Sequence, residues 1–463
     1  MKKIIFIALV LLSQHLVAQD FSGPWYSILK VSGMQLRISI NLLKNDSSYT
    51  GTLTSVDQGN SPIPMKWVIV DKNNLRFKTA VSEIEYEGQL NDSTINGTFM
   101  QGGQKIPLTF SRKVQEKTIA KRPQEPKPPF PYASEDISFF NSRDSITLSG
   151  TLTLPSATGK FPVVVLITGS GPQNRNEELM GHKPFLVLAD HLTRNGIAVL
   201  RYDDRGVAKS KGNFSTATSA DFSNDVEAAV SYLKTRSDID PTKIGLIGHS
   251  EGGLIAPMVA ARDKDVSYIV LMAGPGVKGK DLLTLQIELQ NKSMGLTGPE
   301  LEKQMEVING VLGILTMNGD SAVTGAAYRA YISNSYKQLP DSVRKQVTEP
   351  QYNLQFARLN STWMKYFLNY DPSIALEKVK IPVIAYNGSK DLQVWAPQNL
   401  PAIEKALKKG GNKKYTIREM PNLNHLFQEC ATGAASEYSE IEQTLSPTFL
   451  DDVTAWLRKI NKL

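Results

Sequence analysis

Gly248-His249-Ser250-Glu251-Gly252 sets a serine between two glycines, directly after an apolar run at 243–247 and directly before the helix-like Gly253-Leu254-Ile255-Ala256-Pro257-Met258-Val259-Ala260. A serine on a sharp strand-to-helix turn takes a strained backbone, and flanking glycines remove the side chains that would crowd it. Its hydroxyl then stands exposed above a sheet edge, where the positive end of the next helix favours negative charge on the oxygen. That is the placement of a nucleophile. Five-residue matches of this type also arise by chance, and the strand, turn and helix around this one set it apart.

A serine hydroxyl is a poor nucleophile until a base takes its proton, and the base needs a third group to orient it. The chain has five histidines. His15 lies in an amino-terminal apolar stretch. His249 adjoins the serine, and neighbours on a tight turn point in different directions, so it shapes the turn. His191 sits on a helix before a strand, a structural position. His182 follows Gly169-Ser170-Gly171, so it is expected to touch substrate, but it precedes the serine in the chain. His425, in Pro421-Asn422-Leu423-Asn424-His425, comes just after the last strand-like run at 414–419 and is the expected base.

The orienting acid belongs on the loop after the preceding strand. The run at 381–386 ends in Asn387-Gly388-Ser389-Lys390-Asp391, which puts Asp391 at a strand's carboxyl end, where open sheets of this type bind ligands. Ordinary turn chemistry explains such a segment too. The order Ser250, Asp391, His425 decides for the acid; Asp371 and Glu419 are weaker substitutes. Attack on a carbonyl also needs backbone donors for the developing oxyanion. The N–H of Glu251 is one. The other is expected from Thr168-Gly169-Ser170-Gly171-Pro172, with Ser170 as donor and Gly171 as the neighbouring alternative.

These residues need a scaffold. From residue 137 strands alternate with helices, with β-branched runs at 161–167, 197–202, 244–247, 268–272 and 381–386 that read as a mostly parallel sheet covered on both faces. Helices are expected at 222–234 and 397–408. Residues 277–376 interrupt the alternation with helical, aromatic-rich sequence, too long for a simple crossover and best read as a cap over one end of the sheet. Those aromatics, with Trp395 close after Asp391, either line an apolar pocket or form the cap's own core. Residues 19–114 differ: alternating runs such as Leu36-Arg37-Ile38-Ser39-Ile40, separated by turns like Lys72-Asn73-Asn74, predict a small antiparallel barrel or sandwich. Between the two, residues 115–136 carry Pro123, Pro126, Pro128, Pro129 and Pro131 and read as a semi-rigid linker.

With these elements placed, residues 137–463 resemble the α/β-hydrolase family of serine esterases, lipases and related peptidases. The resemblance rests on residues 248–252, Asp391 and His425, supported by Tyr202-Asp203-Asp204-Arg205-Gly206. It departs at Thr168, where many members carry histidine, and at Ala208, where glycine is common. A leader, a small β module, a Pro-rich linker and a hydrolase in that order resemble secreted bacterial carboxylesterases. The resemblance implies a serine hydrolase acting through an acyl-enzyme on a small-molecule ester with an apolar portion, substrate contacts from Gly171, His182 and Trp395, and no cofactor or metal. A serine peptidase or aminopeptidase related to the prolyl-oligopeptidase group is the alternative.

Lys2 and Lys3 precede the apolar run 4–12, and Val17-Ala18 offers a cleavage point, so residues 1–18 are expected to be a signal peptide leading to a periplasmic or secreted product. No other stretch is apolar for long enough to cross a bilayer. A composition of 41% hydrophobic and 21% charged residues excludes disorder, collagen-like repeats and coiled coil. One cysteine, Cys430, excludes a disulfide framework or thiolate zinc site. The net charge of +7 has interspersed signs, which does not point to nucleic acid. Gly274-Pro275-Gly276-Val277-Lys278-Gly279 matches a dinucleotide fingerprint after a strand, but helical sequence follows where an acidic strand end is required, so the match is read as accidental.

Overall fold

In the computed structural model of the protein, residues 20–463 are described except for short stretches at 32–33, 47, 59–60, 82–83, 102–103, 117–120, 318–320, 340–343 and 345–347. The expected signal peptide lies outside the described residues. The described chain falls into two units.

The first unit is a closed antiparallel barrel running from β1 (Gly23–Val31) to β8 (Gln104–Ser111), with β8 returning to β1 at the Tyr26–Ser111 pair. Of the two expected forms, closure selects the barrel. Alternation drives it: on β5 (Asn74–Thr79) Leu75, Phe77 and Thr79 are buried, while on β6 (Glu85–Asn91) Tyr86, Gly88 and Leu90 face the same interior. Lys72 and Asp92 take left-handed backbone conformations at the tips of two-residue hairpins, the geometry that matches strand twist.

The second unit is an eight-stranded sheet in the order β16-β15-β14-β13-β11-β12-β10-β9. Its strands are β9 (Ala133–Asn141), β10 (Ile146–Leu154), β11 (Phe161–Ile167), β12 (Ala198–Tyr202), β13 (Ile239–His249), β14 (Val266–Met272), β15 (Val383–Gly388) and β16 (Tyr415–Met420). The six strands from β11 to β16 pair parallel; β10 and β9 join antiparallel at one edge. Helices α1 (Pro184–Arg194), α2 (Ser219–Lys234) and α3 (Glu251–Ala260) alternate with the strands. The central strands are buried toward their carboxyl ends: Val163, Val164, Val165, Leu246 and Ile247 all belong to one continuous core. This explains their uninterrupted β-branched sequence.

Register decides where the loops meet. Ile167 pairs with Gly248, His249 with Met272, Met272 with Tyr386, and Gly388 with Met420. The carboxyl ends of β11, β13, β14, β15 and β16 therefore finish side by side. The chain runs from β11 to β12 on one flank and then crosses back to β13 on the other, so the sheet's switch point lies between β11 and β13. Open α/β sheets bind their ligands at such a crevice.

Between β14 and β15 stand α4 (Gly279–Ser293), α5 (Gly298–Leu315), α6 (Ser321–Lys337), α7 (Glu349–Ala357), α8 (Thr362–Asn369) and α9 (Ser373–Leu376). Part of their aromatic content is internal: the Tyr328 hydroxyl donates to the Phe356 carbonyl, and Tyr352 packs on Tyr336 and Phe356. Trp363, Tyr366 and Tyr370 instead pack against the core of the sheet. The last helices, α10 (Ala396–Lys409) and α11 (Pro447–Asn461), complete the layers.

The Pro-rich segment differs from the expected linker in two respects. Its last residues form the start of β9 at Ala133. Upstream, the Arg122 guanidinium donates to the carbonyls of Met180, Gly181, Ser439 and Ile441, and Gln124 bonds the backbone of Thr444 and Leu445. These side chains satisfy backbone groups of irregular loops, and the segment is part of the second unit.

Candidate active site

Ser250 caps α3 with φ 52° and ψ −116°, a left-handed region disfavoured for a residue with a side chain. Two backbone bonds hold it: its N–H donates to Met272 O at 2.8 Å, and its carbonyl accepts the Gly253 N–H at 2.9 Å. The glycines are dictated by contact. A Cβ on Gly248 would lie 2.0 Å from Gly252 O, one on Gly252 2.1 Å from Ile167 O, and one on Gly253 2.6 Å from the Gly274 Cα. Gly252→Ala should therefore lower stability by about 2–3 kcal/mol, because the obstacle is main chain and α3 must move off β11. A urea midpoint equal to that of the parent chain would refute this.

Asp391 and His425 meet. Asp391 is fully buried; its Oδ1 accepts the N–H groups of Gln393 and Val394 at 2.8 and 2.9 Å, and its Oδ2 lies 2.8 Å from His425 Nδ1. A carboxylate only accepts here, so Nδ1 carries the proton and Nε2 is left as the basic nitrogen. Their loops are stitched together: Ser389 N–H donates to Met420 O, Lys390 N–H to Leu423 O, and Asn422 N–H to the Ser389 hydroxyl. A Cβ on Gly388 would collide with Leu423 O at 2.2 Å. The buried Asn424 knits the base loop, its Oδ1 accepting the N–H groups of Leu426 and Gln428.

The loop carrying His425 lies beside the serine turn. The His249 ring is 4.9 Å from the His425 ring, and its Nε2 is 2.9 Å from the His425 carbonyl oxygen. His249 thus has the turn-shaping role expected of it. Gly169 comes close from the other side, since a Cβ there would lie 3.2 Å from the Ser250 Cβ.

The loop carrying Gly169, Ser170 and Gly171 is pinned by buried acids. Thr168 Oγ1 donates to Asp204 Oδ1 at 2.7 Å, Gln173 N–H to Asp204 Oδ2 at 2.9 Å, and Gly169 N–H to Glu177 Oε1 at 2.7 Å. Arg175 forks onto Asp203. Burial, reinforced by Glu251 and Glu177 nearby, pushes the Asp204 carboxyl's pKa well above the ordinary range despite those two donors. The run Tyr202-Asp203-Asp204-Arg205-Gly206 is therefore bracing, with Arg205 paired to Asp225 and Asp144. Ala208, the departure from glycine, sits at φ 47°, a conformation that costs an alanine about 1–2 kcal/mol. Thr168, the other departure, supplies the hydroxyl held by Asp204.

The Glu251 side chain turns inward. It is buried and accepts from Ser219 Oγ at 2.6 Å and from Trp363 Nε1 at 2.8 Å. Burial raises its pKa, and these donors oppose the rise. One carboxylate thus ties the start of α2 and cap helix α8 to the serine turn.

The expected substrate-contact residues divide. Gly171 has φ 97° and open space where a side chain would stand. Trp395, at the start of α10, keeps 37% of its surface exposed, four residues past the acid. His182 is corrected: it is completely buried, with Nδ1 2.9 Å from Thr444 Oγ1 and Nε2 2.7 Å from Tyr438 O. It fastens a loop and offers no free face to a ligand. His191 is half-buried on helix α1, and that burial lowers its pKa. Asp371 receives the Ser373 N–H in a local turn, and Glu419 is exposed on β16; neither approaches the role of Asp391. The glycines of 274–279 serve close packing: Gly274 lies against Gly253, and a Cβ on Gly279 would strike Phe367 O at 2.0 Å. Sequence reading missed Glu177 and Trp363 and the bracing roles of Asp204 and Asn424; the first three meet groups distant in the chain, whereas Asn424 binds Leu426 and Gln428 close by.

Among proteins of known name, the chain is 30% identical over 203 residues to the esterase EstD of Thermotoga maritima, covering 44% of this chain and 48% of that protein. It is 33% identical over 138 residues to the thiohydrolase apmlB of Arthrinium phaeospermum, covering 30% and 42%. The chain thus spans about half the length of these curated relatives. Among solved structures it is similar to the esterase Pf2001 of Pyrococcus furiosus, with 15% identity, a TM-score of 0.41, and coverage of 71% of this chain and 93% of that one. The sequence model described as "Serine aminopeptidase, S33" matches residues 183–429. That span holds Ser250, Asp391 and His425 and covers more than half of the chain, which therefore belongs to this family of α/β-fold serine hydrolases.

Proposed function

We propose that the protein hydrolyses carboxylic esters through an acyl-enzyme, with Ser250 as nucleophile, His425 as general base and Asp391 as the acid that orients it. The observation that carries this reading is the buried Asp391–His425 bond at 2.8 Å on the loop that His249 holds beside Ser250. His425 Nε2 takes the Ser250 proton as Oγ bonds to the acyl carbon, and the N–H groups of Glu251 and Ser170 receive the oxyanion. Collapse breaks the ester C–O bond, and the leaving alkoxide takes the proton from His425. Water, deprotonated by the same imidazole, then releases the acid and restores Ser250.

Ester substrates are favoured over amides because their leaving group makes less demand on proton donation, and because one curated relative is named an esterase. The half-exposed Trp395 supports an apolar part on the substrate. The family description as serine aminopeptidase favours a second reading, cleavage of short peptides. The amino-terminal sequence 1–18 supports action outside the cytoplasm. The test is a panel of short- and long-chain aryl esters and aminoacyl arylamides, with a fluorophosphonate probe to label the nucleophile. Ester turnover and a phosphonylated Ser250-bearing peptide are expected. Preference for the arylamides reverses the substrate reading; label on another residue overturns the nucleophile.

A further inference from the structure

One buried ion pair beside the reacting groups has no part in that chemistry. His249 and Glu177 are 5% and 4% exposed. His249 Nε2 is 2.9 Å from the His425 carbonyl oxygen, which can only accept, so Nε2 carries a proton. His249 Nδ1 is 2.9 Å from Glu177 Oε1, the same oxygen that accepts the Gly169 N–H at 2.7 Å. With Glu177 ionised, Oε1 can only accept, and Nδ1 then donates to it alongside the Gly169 N–H. A ring with both nitrogens donating is an imidazolium.

We propose that His249 stands as an imidazolium paired with the Glu177 carboxylate, and that this pair is a positioning device locking the oxyanion loop at Gly169 to the base loop at His425. The proposal rests on the reading of Ser250 and His425 as nucleophile and base. His249 is the residue before Ser250, so the serine turn, the oxyanion loop and the base loop meet at one ring. Two carboxylates then serve two imidazoles: Glu177 holds His249 charged, and Asp391 orients His425. Since the His249–Glu177 pair is neutral as a unit, it does not oppose the positive charge that forms on the His425 ring 4.9 Å away.

The groups facing His249 are Glu177 from the loop after β11, Asp391 from the loop after β15, and His425 with its carbonyl from the loop after β16. Asp204 stands behind Glu177. Burial alone pulls the His249 pKa down; the charge of Glu177, its hydrogen bond and the His425 carbonyl outweigh burial, and the pKa is raised. A raised histidine pKa stabilises the fold fully below the ordinary value of about 6.5, and that contribution is lost as pH climbs through the raised value. The lock is therefore expected to fail on the alkaline side.

Two measurements test this. The first is nitrogen NMR of the full chain labelled with 15N-histidine, in the Ser250→Ala variant so that catalysis plays no part. At pH 7 one ring should show both nitrogens protonated, and its signals should vanish in Ser250→Ala/His249→Gln. A singly protonated His249 at that pH overturns the proposal, whatever the identity of the nucleophile. The second is Glu177→Gln, which keeps the acceptor and removes the charge. It should lower kcat by about tenfold to a hundredfold through misplacement of the reacting groups. KM should barely move, and the alkaline loss of kcat should shift to lower pH, with part of the rate restored in Glu177→Asp. An unchanged kcat and pH profile overturns the positioning role. Should Glu177→Gln fail to fold, the NMR measurement still decides the charge state on which the proposal stands.

Discussion

Ser250→Ala is expected to reduce kcat for an aryl ester by about ten-thousandfold to a millionfold, the range seen when a serine nucleophile is removed from a preorganised site. Stability should hardly change. The substitution deletes one oxygen, and the two bonds that hold this turn are both made by backbone, at Met272 O and Gly253 N–H. The left-handed conformation costs alanine about what it costs serine. A progress curve under single-turnover conditions, with a thermal melt on the same sample, separates the two effects. Retention of more than a few per cent of the parent rate would show that another group makes the attack.

Asp391→Asn carries the second large effect, a loss of about ten-thousandfold in kcat with the fold intact. The amide oxygen of asparagine still accepts the N–H groups of Gln393 and Val394, so the turn after β15 survives. The amide nitrogen, however, would face His425 Nδ1, now 2.8 Å from a carboxylate oxygen. Two donors cannot share that contact. The ring must take the tautomer with its proton on Nε2, the nitrogen that should receive the serine proton. The expected measurement is kcat/KM on the ester preferred in the substrate panel. A loss smaller than tenfold would remove Asp391 from the mechanism and reopen the search for the acid.

Two of the proposed residues, Ser250 and Asp391, could be placed because each follows a parallel strand with a buried carboxyl-terminal half; His425 follows the half-exposed edge strand β16 and was reached by elimination among the histidines. Ser250 sits after β13, Asp391 after β15 and His425 after β16, and register alone brings those loops together. The supports were not legible. Glu177 carries no local signal and Asp204 is read only as part of a strand-end motif, since what gives them their roles is the backbone N–H of Gly169 and Gln173 and the ring of His249. His182 was misread for the same reason: its partners, Tyr438 and Thr444, come from an aperiodic stretch more than two hundred and fifty residues on. Strand β9 hid inside the Pro-rich segment because, as an edge strand with one exposed face, Ala133-Ser134-Glu135-Asp136 looks like linker. Barrel and sandwich could not be told apart by alternation, which is identical in both; the choice is made by the pairing of Tyr26 with Ser111.

The clasp made by Arg122 and Gln124 bears on where this protein can be cut. Excision at the first strand of the hydrolase sheet would strip five loop carbonyls, at Met180, Gly181, Ser439, Ile441 and Leu445, of the donors that now meet them. A shortened chain that begins ahead of Arg122 keeps those bonds. The natural edge of the enzyme thus falls ahead of its prolines, and the stretch that looks most expendable on paper stays inside it.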